Sequence, residues 1–507
     1  MLTAIPFVLL QVVIVPLLAS LVTFAAAGRL GRHVGWIAFG SFLYVALLLL
    51  TVGAGLYDGG QGVTETYTWA QSAGLSFGFL ADDLSLPVVL VIAIVCAAVA
   101  VYSIPYMEHR FEALYGGERK QQYGVYYLNF QLLATGVLGV ALSTNLIELY
   151  LFTELMLIPS FFILSLFGYF DRARIAITYF IWNQLGAFVF LVGILLAYVS
   201  TGSFSISALS SLTTGGSSLP YWVFFLIMAG WFVKMGVVGL HTWLPYSEAE
   251  PPSSFAPVMA TVVGVGNYVF ARLLVQYMPT IFQAFSVPIM IVALLTMIFG
   301  GAITLVQDDI KYLFAWSTMS QNAYSLLGIG SLTVLGVSGG VFYFLSHIIG
   351  KCILFSIAGI ILVRTGTRDM RQMGGLASKM PLTASLCLIG ALILSAVPPL
   401  SGFQAEWVMF VGIFYQGAYG MNLNLVIALL GMIATLLTGA YTFWPVKRIF
   451  FGTLPSHLES VTEAPLMMTL PLIALAAISI LIGIYPDLVA KMLIGFANSL
   501  PALKGGL

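Results

Sequence analysis

The sequence predicts an all-α polytopic membrane protein of about fourteen transmembrane helices, with two inverted five-helix repeats and two broken helices, the seventh and the twelfth. Three observations carry that prediction. Of 507 residues, 60% are hydrophobic and only 7% charged, at a mean hydropathy of +1.03, a balance outside the globular range. Apolar runs of roughly 18–25 residues, the length that crosses a hydrocarbon core, recur from one end to the other. Two of these runs are interrupted by Pro and Gly, five runs apart.

The runs fall at 4–27, 35–56, 84–106, 126–144, 146–167, 174–200, 222–242, 255–278, 283–306, 311–330, 335–363, 382–414, 424–450 and 466–488. No basic residues precede the first run and no small-residue cleavage site with a polar mature domain follows it, so it reads as a retained helix rather than a signal peptide. The chain then divides into three N-terminal helices (1–110), a first five-helix repeat (126–278), a second (283–450), and a last helix with its tail (466–507). Fourteen of the nineteen Lys and Arg residues, among them Arg29, Arg110, Lys120, Arg174, Lys311, Arg368 and Arg448, lie in loops that follow odd-numbered runs. Arg272, Lys491 and Lys504 lie on the opposite side. By the positive-inside rule both termini face away from the cytoplasm, and the expected location is a prokaryotic plasma (inner) membrane. Arg368, Asp369, Arg371 and Lys379 read as a solvated, orienting loop. Asp308 and Asp309 read as anions at the start of the helix that carries Lys311.

Cys96, Cys352 and Cys387 stand singly within apolar runs and read as small packing residues. Without CxxC spacing or a glycine-rich phosphate loop, neither a metal nor a nucleotide cofactor is expected. Nothing in the composition points to a nucleic-acid partner, and no soluble domain is present; the bilayer is the first partner implied.

The seventh run breaks at GLHTWLPYSEAEPP and the twelfth at SAVPPLSGFQAE. Proline removes a backbone donor and clashes with the preceding turn, so each break frees backbone groups that water or side chains must satisfy. Matched breaks point to repeated halves around a mid-depth ion path. Counting by five pairs runs 4–8 with runs 9–13, and an odd number of helices per unit turns the two copies opposite ways.

Buried ionisable residues follow this arrangement. Lys234 is the sole charge in YWVFFLIMAGWFVKMGVVGLHTWLP, and its expected partner is Glu154, alone in LYLFTELMLIPSFFIL. A charge at bilayer depth marks a functional site by default; the alternative is a static pair that fixes helix packing. Moving Glu154 relative to Lys234 changes proton affinity, which suits an energy-coupled switch. Glu148, nearer the outer end of the same helix, reads as an interfacial carboxylate, with part of an exit path as the alternative. His347 and Lys351 lie at i, i+4 on one helix face and suit a proton relay. His241, at the first break, either carries a proton onward or bonds a freed carbonyl. Glu406, just past the second break, reads as a terminal proton donor or acceptor.

At these residues the chain resembles the antiporter-like membrane subunits of respiratory complex I, shared with Mrp cation/proton antiporters and membrane-bound hydrogenases. The matching segments are ADDLSLP (81–87), YSIPYM (102–107), NLIELYLFTELMLIP (145–159), KMGVVGLHTWLPYSEAEPPSS (234–254), QDDIKYLFAWSTMSQ (307–321), SHIIGKCILF (346–355), TRDMRQMGGLASKMP (367–381) and SAVPPLSGFQAEW (395–407). Glu406 makes it most similar to subunit M (chain 4), and the tail lacks the long lateral helix of the chain 5 type. The resemblance implies that Glu154 and Lys234 form a modulating pair, that His347 and Lys351 lie on a central axis, and that Glu406 exchanges with the far side. It also implies a cofactor-free subunit, with further antiporter-like subunits as partners and redox chemistry elsewhere in an NAD(P)H/quinone-type translocase. Three positions depart from the family pattern: Glu248 where a histidine is common, Val265 where a lysine is common, and Gln321 where a histidine is common. The link from Lys234 toward the eleventh run then rests on His241, Asn267, Tyr268 and water. The competing readings are a sodium/proton antiporter subunit of an Mrp-type or hydrogenase assembly, a non-pumping structural subunit, and a small-solute carrier.

Overall fold

The computed structural model describes residues 5–70, 75–117, 119–212, 217–417 and 423–503; Lys504 lies outside them. The helices, in chain order, are α1 (Val8–Leu30), α2 (Gly35–Tyr57), α3 (Ser85–Tyr115), α4 (Lys120–Leu142), α5 (Leu146–Phe167), α6 (Arg172–Thr201), α7 (Leu219–Met235), α8 (Leu244–Ala249), α9 (Ala256–Val269), α10 (Pro279–Leu305), α11 (Ile310–Gly330), α12 (Val334–Thr365), α13 (Pro381–Leu394), α14 (Ser401–Gly417), α15 (Leu423–Phe450), α16 (Leu466–Ile484) and α17 (Asp487–Asn498). Among the described residues, ten helical segments are long and apolar enough to cross a membrane, with α1 and α2 counted as one stretch, and α7 and α13 are shorter apolar helices.

The bundle is built around α12, in which every residue from Val334 to Ile361 is buried. It packs against α9, α11, α13 and α14. Its approach to α14 is close because Gly336 meets Gly412; a methyl on Gly412 would overlap the Gly336 backbone. Helices α1, α6 and α15 lie outside and expose Leu18, Leu21, Ile181, Phe188, Ile433 and Leu436, as lipid-facing helices do.

Two elements lie beyond the expected membrane-spanning helices, and the first of them is not helical. A β-hairpin pairs β1 (Val63–Ala70) with β2 (Leu75–Ala81). Its first strand reads TETYTW, the period-2 alternation of β-branched and aromatic residues that favours a strand. The hairpin caps helix ends: Glu65 accepts from the Leu9 and Leu10 N–H groups at 3.0 and 2.9 Å, and the Gly78 N–H donates to Glu148 at 3.0 Å. Glu148 is therefore fully buried, a correction to its reading as an interfacial carboxylate. The tail, in turn, forms the amphipathic α17, whose Val489, Leu493 and Phe496 face inward.

The two broken segments end alike. After α7, Gly236 turns left-handed at φ 63°, and after α13, Ala396 does so at φ 51°. The Val237 N–H then reaches Phe232 O at 3.3 Å, and the Val397 N–H reaches Leu392 O at 3.0 Å. A second match joins α5–α6 to α11–α12. Asn145 caps α5 and Asp309 caps α11, each accepting from the N–H groups two and three residues on. The Leu146 N–H donates to Phe204 O at 2.8 Å and the Ile310 N–H to Arg368 O at 3.1 Å. The Ile206 N–H donates to Thr144 O at 3.0 Å, and the Met370 N–H to Asp308 O at 2.9 Å.

Arginine pairs tie the ends of the bundle. Helix α9 widens into a π-helical turn over Phe270–Val275, which carries Arg272. Arg272 grips Asp82 with two bonds of 2.8 and 2.6 Å. Arg368, expected in a solvated loop, is instead 9% exposed and bonds Glu250 at 3.1 Å and Asp309 at 2.8 Å. Arg371 stays exposed, and its hydrogen bonds hold the Asp369 carboxyl at about 2.

Breaking one partner of a buried ion pair costs about 3–5 kcal/mol, whereas replacing both with apolar groups costs far less. Arg272→Met is therefore expected to lower the thermal unfolding midpoint of the solubilised protein, and Arg272→Met with Asp82→Leu to recover much of it. A double variant no more stable than the single one would show that Arg272 acts through its stem rather than its charge.

Candidate functional site

The site is a row of acid, base and hydroxyl groups through the middle of the bundle. It starts at Lys234 in the last turn of α7, 6% exposed. Glu154 on α5 is its electrostatic partner, and Tyr150, one turn earlier on α5, neighbours the carboxylate. No ion-pair contact within 4 Å joins Glu154 to Lys234.

The break beyond Lys234 is satisfied from inside the chain. Trp243 Nε1 donates at 3.0 Å to the Val233 carbonyl, which the Gly236 N–H also reaches at 3.2 Å, and the Val238 N–H donates to Thr296 Oγ1 at 3.1 Å. His241 Nδ1 accepts from the freed Gly239 N–H at 3.2 Å. Its ring lies 5.1 Å from Phe299 and 5.7 Å from Trp316, half-buried on an aromatic flank. It bonds a freed N–H and not, as one reading expected, a freed carbonyl.

On the far side of the break, α8 carries Glu248 into the core, fully buried. Neither of its oxygens has a hydrogen-bond partner, and its electrostatic partner is Lys351 on α12. Lys351 Nζ donates to Phe314 O and Ser317 Oγ of α11. His347, one turn before Lys351, is buried with neither ring nitrogen bonded. Asn267 on α9 and Asn322 on α11 are likewise buried without side-chain partners, and Asn322 Oδ1 lies against Gly264 of α9. Buried groups of this kind are ordinarily matched by ordered water. Val265 sits fully buried in the same stretch of α9.

From His347 the polar row continues through hydroxyls. Tyr343 OH donates to Gln321 Oε1 at 2.6 Å, and Gln321 Nε2 donates to Tyr441 OH at 2.6 Å. Tyr441 and Tyr324 both meet Thr438 Oγ1, at 3.1 and 2.8 Å. All three tyrosines feel the charge of Glu406. Glu406, on α14, borders an open groove of about 460 Å³ between α13, α14 and α15, with Ser395, Trp407, Phe410 and Phe443 among its walls. Among the described residues no group of three or more His, Cys, Asp or Glu is gathered to hold a metal ion.

The structure thus brings Glu154 within electrostatic range of Lys234 and Lys351 one turn from His347, puts Glu406 at the far end, and sets His241 to one side. Sequence reasoning missed Glu248 as a partner and the Gln321 network. A signal was present: Tyr343, His347 and Lys351 recur at four-residue intervals, extending the relay face by a turn.

A helical membrane protein threaded by alternating carboxylates and lysines is an ion-path protein in architecture. Residues 143–438 match the family described as NADH:quinone oxidoreductase/Mrp antiporter, transmembrane, and residues 69–114 match the N-terminus of complex I chain 5. The NAD(P)H-quinone oxidoreductase chain 4 2 of Synechococcus sp. (strain JA-3-3Ab) is 31% identical over 501 residues, covering 94% of this chain and 88% of that one. NADH-quinone oxidoreductase subunit M of Rickettsia typhi is 27% identical, covering 83% of this chain and 82% of that one. In fold, the chain is similar to one in the Mrp complex from Dietzia sp. DQ12-45-1b (TM-score 0.85, 21% identity, 98% of each chain). It is also similar to one in respiratory complex I from Thermus thermophilus (TM-score 0.84, 24% identity, 97% of this chain and 100% of that one). The chain belongs to the NADH:quinone oxidoreductase/Mrp antiporter family of membrane subunits.

Tyr343→Phe keeps the ring and leaves Gln321 Oε1 buried without its donor, an expected cost of about 1–3 kcal/mol. Paired with Gln321→Leu, it should cost clearly less than the sum of the two single changes, as coupled neighbours do. A double-mutant cycle on thermal unfolding checks this; strict additivity would mean that the bond does not stabilise the bundle.

Proposed function

We propose that this chain is the proton-translocating antiporter-like subunit of a complex I-like oxidoreductase, moving protons along Glu154, Lys234, His347, Lys351 and Glu406 while other subunits carry out the redox chemistry. The observation that carries this reading is the row itself: single carboxylates and single buried lysines set out of ion-pair contact, continued by hydroxyls to a carboxylate at an open groove. A structural ion pair needs contact; a proton switch needs partners whose separation can change. In this reading the subunit holds no redox group and is not catalytic alone. Its partners are the remaining membrane subunits, further antiporter-like ones among them, and it resides in a prokaryotic plasma membrane with both termini on the non-cytoplasmic side.

The same reading takes the architecture as fourteen spans, α7 with α8 and α13 with α14 each forming one, and two inverted repeats over α4–α9 and α10–α15. The paired left-handed breaks and the paired hydrogen bonds of Asn145 and Asp309 support it. His241 belongs to the break, where it bonds the Gly239 N–H, rather than to the axis.

Sodium/proton exchange is the second reading, favoured by the likeness in fold to the Mrp chain. Sodium requires several oxygen ligands at one point, whereas the row offers carboxylates singly and nitrogen between them.

Lys234→Met in the parent complex, assembled to the same level in sealed vesicles, is expected to lose substrate-driven acidification while electron transfer continues. Unchanged acidification would make the subunit a scaffold. Replacing external sodium with choline separates the second reading: acidification should persist, and its loss would favour sodium exchange.

A further inference from the structure

We infer that Glu248 and Lys351 form a second carboxylate–lysine pair that carries the proton from the first half of the chain to the second. The inference rests on the proposed proton path, which names Lys351 and leaves open how Lys234 reaches it.

Glu248 and Lys351 face the same turn of α11 from two sides. Lys351 reaches it from α12 and donates to Phe314 O and Ser317 Oγ. Glu248 approaches from α8, beside Thr318, whose hydroxyl proton goes to Phe314 O at 3.1 Å. Both residues are fully buried. A carboxylate buried in the core is costly unless it is protonated or answered by a cation or ordered water. The cation that answers Glu248 is Lys351, and no ion-pair contact locks the two together. A static pair that stabilised packing would be in contact and fully bonded, as Arg272 and Asp82 are.

Position adds a second argument. Glu248 follows the α7–α8 break as Glu406 follows the α13–α14 break, so each broken segment carries a carboxylate soon after its break. Between Lys234 and Lys351, α9 offers Val265 and Asn267, neither of which titrates, and α11 offers Ser317, Thr318 and Asn322. Glu248 supplies the titrating group that this interval otherwise lacks.

The step balances within the pair. The O–H bond of the Glu248 carboxylic acid breaks, its proton passes to the lone pair of the Lys351 Nζ amine through an intervening water or a side-chain rotation, and a new N–H bond forms. Carboxylic acid and amine become carboxylate and ammonium, and the pair is neutral overall in both states. Buried charge is then separated by the transfer without a net charge entering the core. His347, on the same face as Lys351, is positioned to take the proton next.

The test uses the whole complex in sealed vesicles, driven by whichever of NADH or reduced ferredoxin the host membranes oxidise. Glu248→Gln is expected to lose acidification as fully as Lys234→Met at equal assembly and electron transfer, Lys351→Met to match it, and Glu248→Asp to retain a substantial part. The redox-induced infrared difference spectrum should carry a carboxyl band that Glu248→Gln removes, which a merely packed carboxylate would not give. Should Glu248→Gln fail to assemble, Glu248→Asp must shift that band. Normal acidification by Glu248→Gln, with loss in Lys234→Met, would overturn the pair and leave the path standing. Normal acidification by Lys234→Met would overturn both, and a spectrum without a Glu248-dependent band would overturn the pair on its own.

Discussion

Hydrocarbon offers no hydrogen bonds, and the rest of the structure depends on how that constraint is met. Every interrupted backbone group and every charge must find its partner in protein or in ordered water. The breaks after α7 and α13 meet the demand in the same way, with one left-handed residue and a reverse bond to the carbonyl five positions back. Trp243, Thr296 and His241 bond backbone groups at the first break. Because the broken backbone is satisfied locally, the segments that follow it are free to carry Glu248 and Glu406.

The charged residues divide by chemistry as well as by place. Every ion-pair contact among the described residues uses arginine, and the most buried of these, Arg272 with Asp82 and Arg368 with Glu250 and Asp309, fasten the ends of the bundle. A guanidinium stays protonated and offers a rigid fork, so such pairs lock. Lys234 and Lys351 face Glu154 and Glu248 without contact. An ammonium can give up its proton when buried, and a carboxylate held at a distance can accept one. In the proposed path arginine thus serves as fastener and Lys234 and Lys351 as carriers, with the separation of charges deciding which role a pair takes.

Much of this was legible in the sequence because burial of charge in a long apolar run has few innocent explanations. Lys234, Glu154, the i, i+4 spacing of His347 and Lys351, and both proline breaks could be read directly. What escaped were facts set by tertiary contact. Glu148 looked interfacial because nothing local announces that a hairpin folds over it. Arg368 looked solvated because its partners, Glu250 and Asp309, lie 118 and 59 residues away. Glu248 looked like a lost histidine, since pairing it with Lys351 requires knowing that α8 and α12 meet the same turn of α11. The hairpin itself was passed over because eight alternating residues are a weak signal beside runs of twenty.

The passage from Lys351 toward Glu406 has a chemistry of its own. Gln321 accepts from Tyr343 and donates to Tyr441, and a side-chain amide can do only one of these with each of its ends. Its orientation fixes the direction of the hydroxyls on either side, leaving Tyr441 and Tyr324 to share Thr438. Hydroxyls exchange protons readily, whereas a neutral amide passes one only by tautomerising. Gln321 therefore orients the network and interrupts it at once. A continuous wire between Lys351 and Glu406 would let protons run back down their gradient; an oriented but interrupted one makes the connection depend on water reaching His347 or on a tyrosine turning. On the proposed path, an amide at this point has a physical use that a second histidine would not supply.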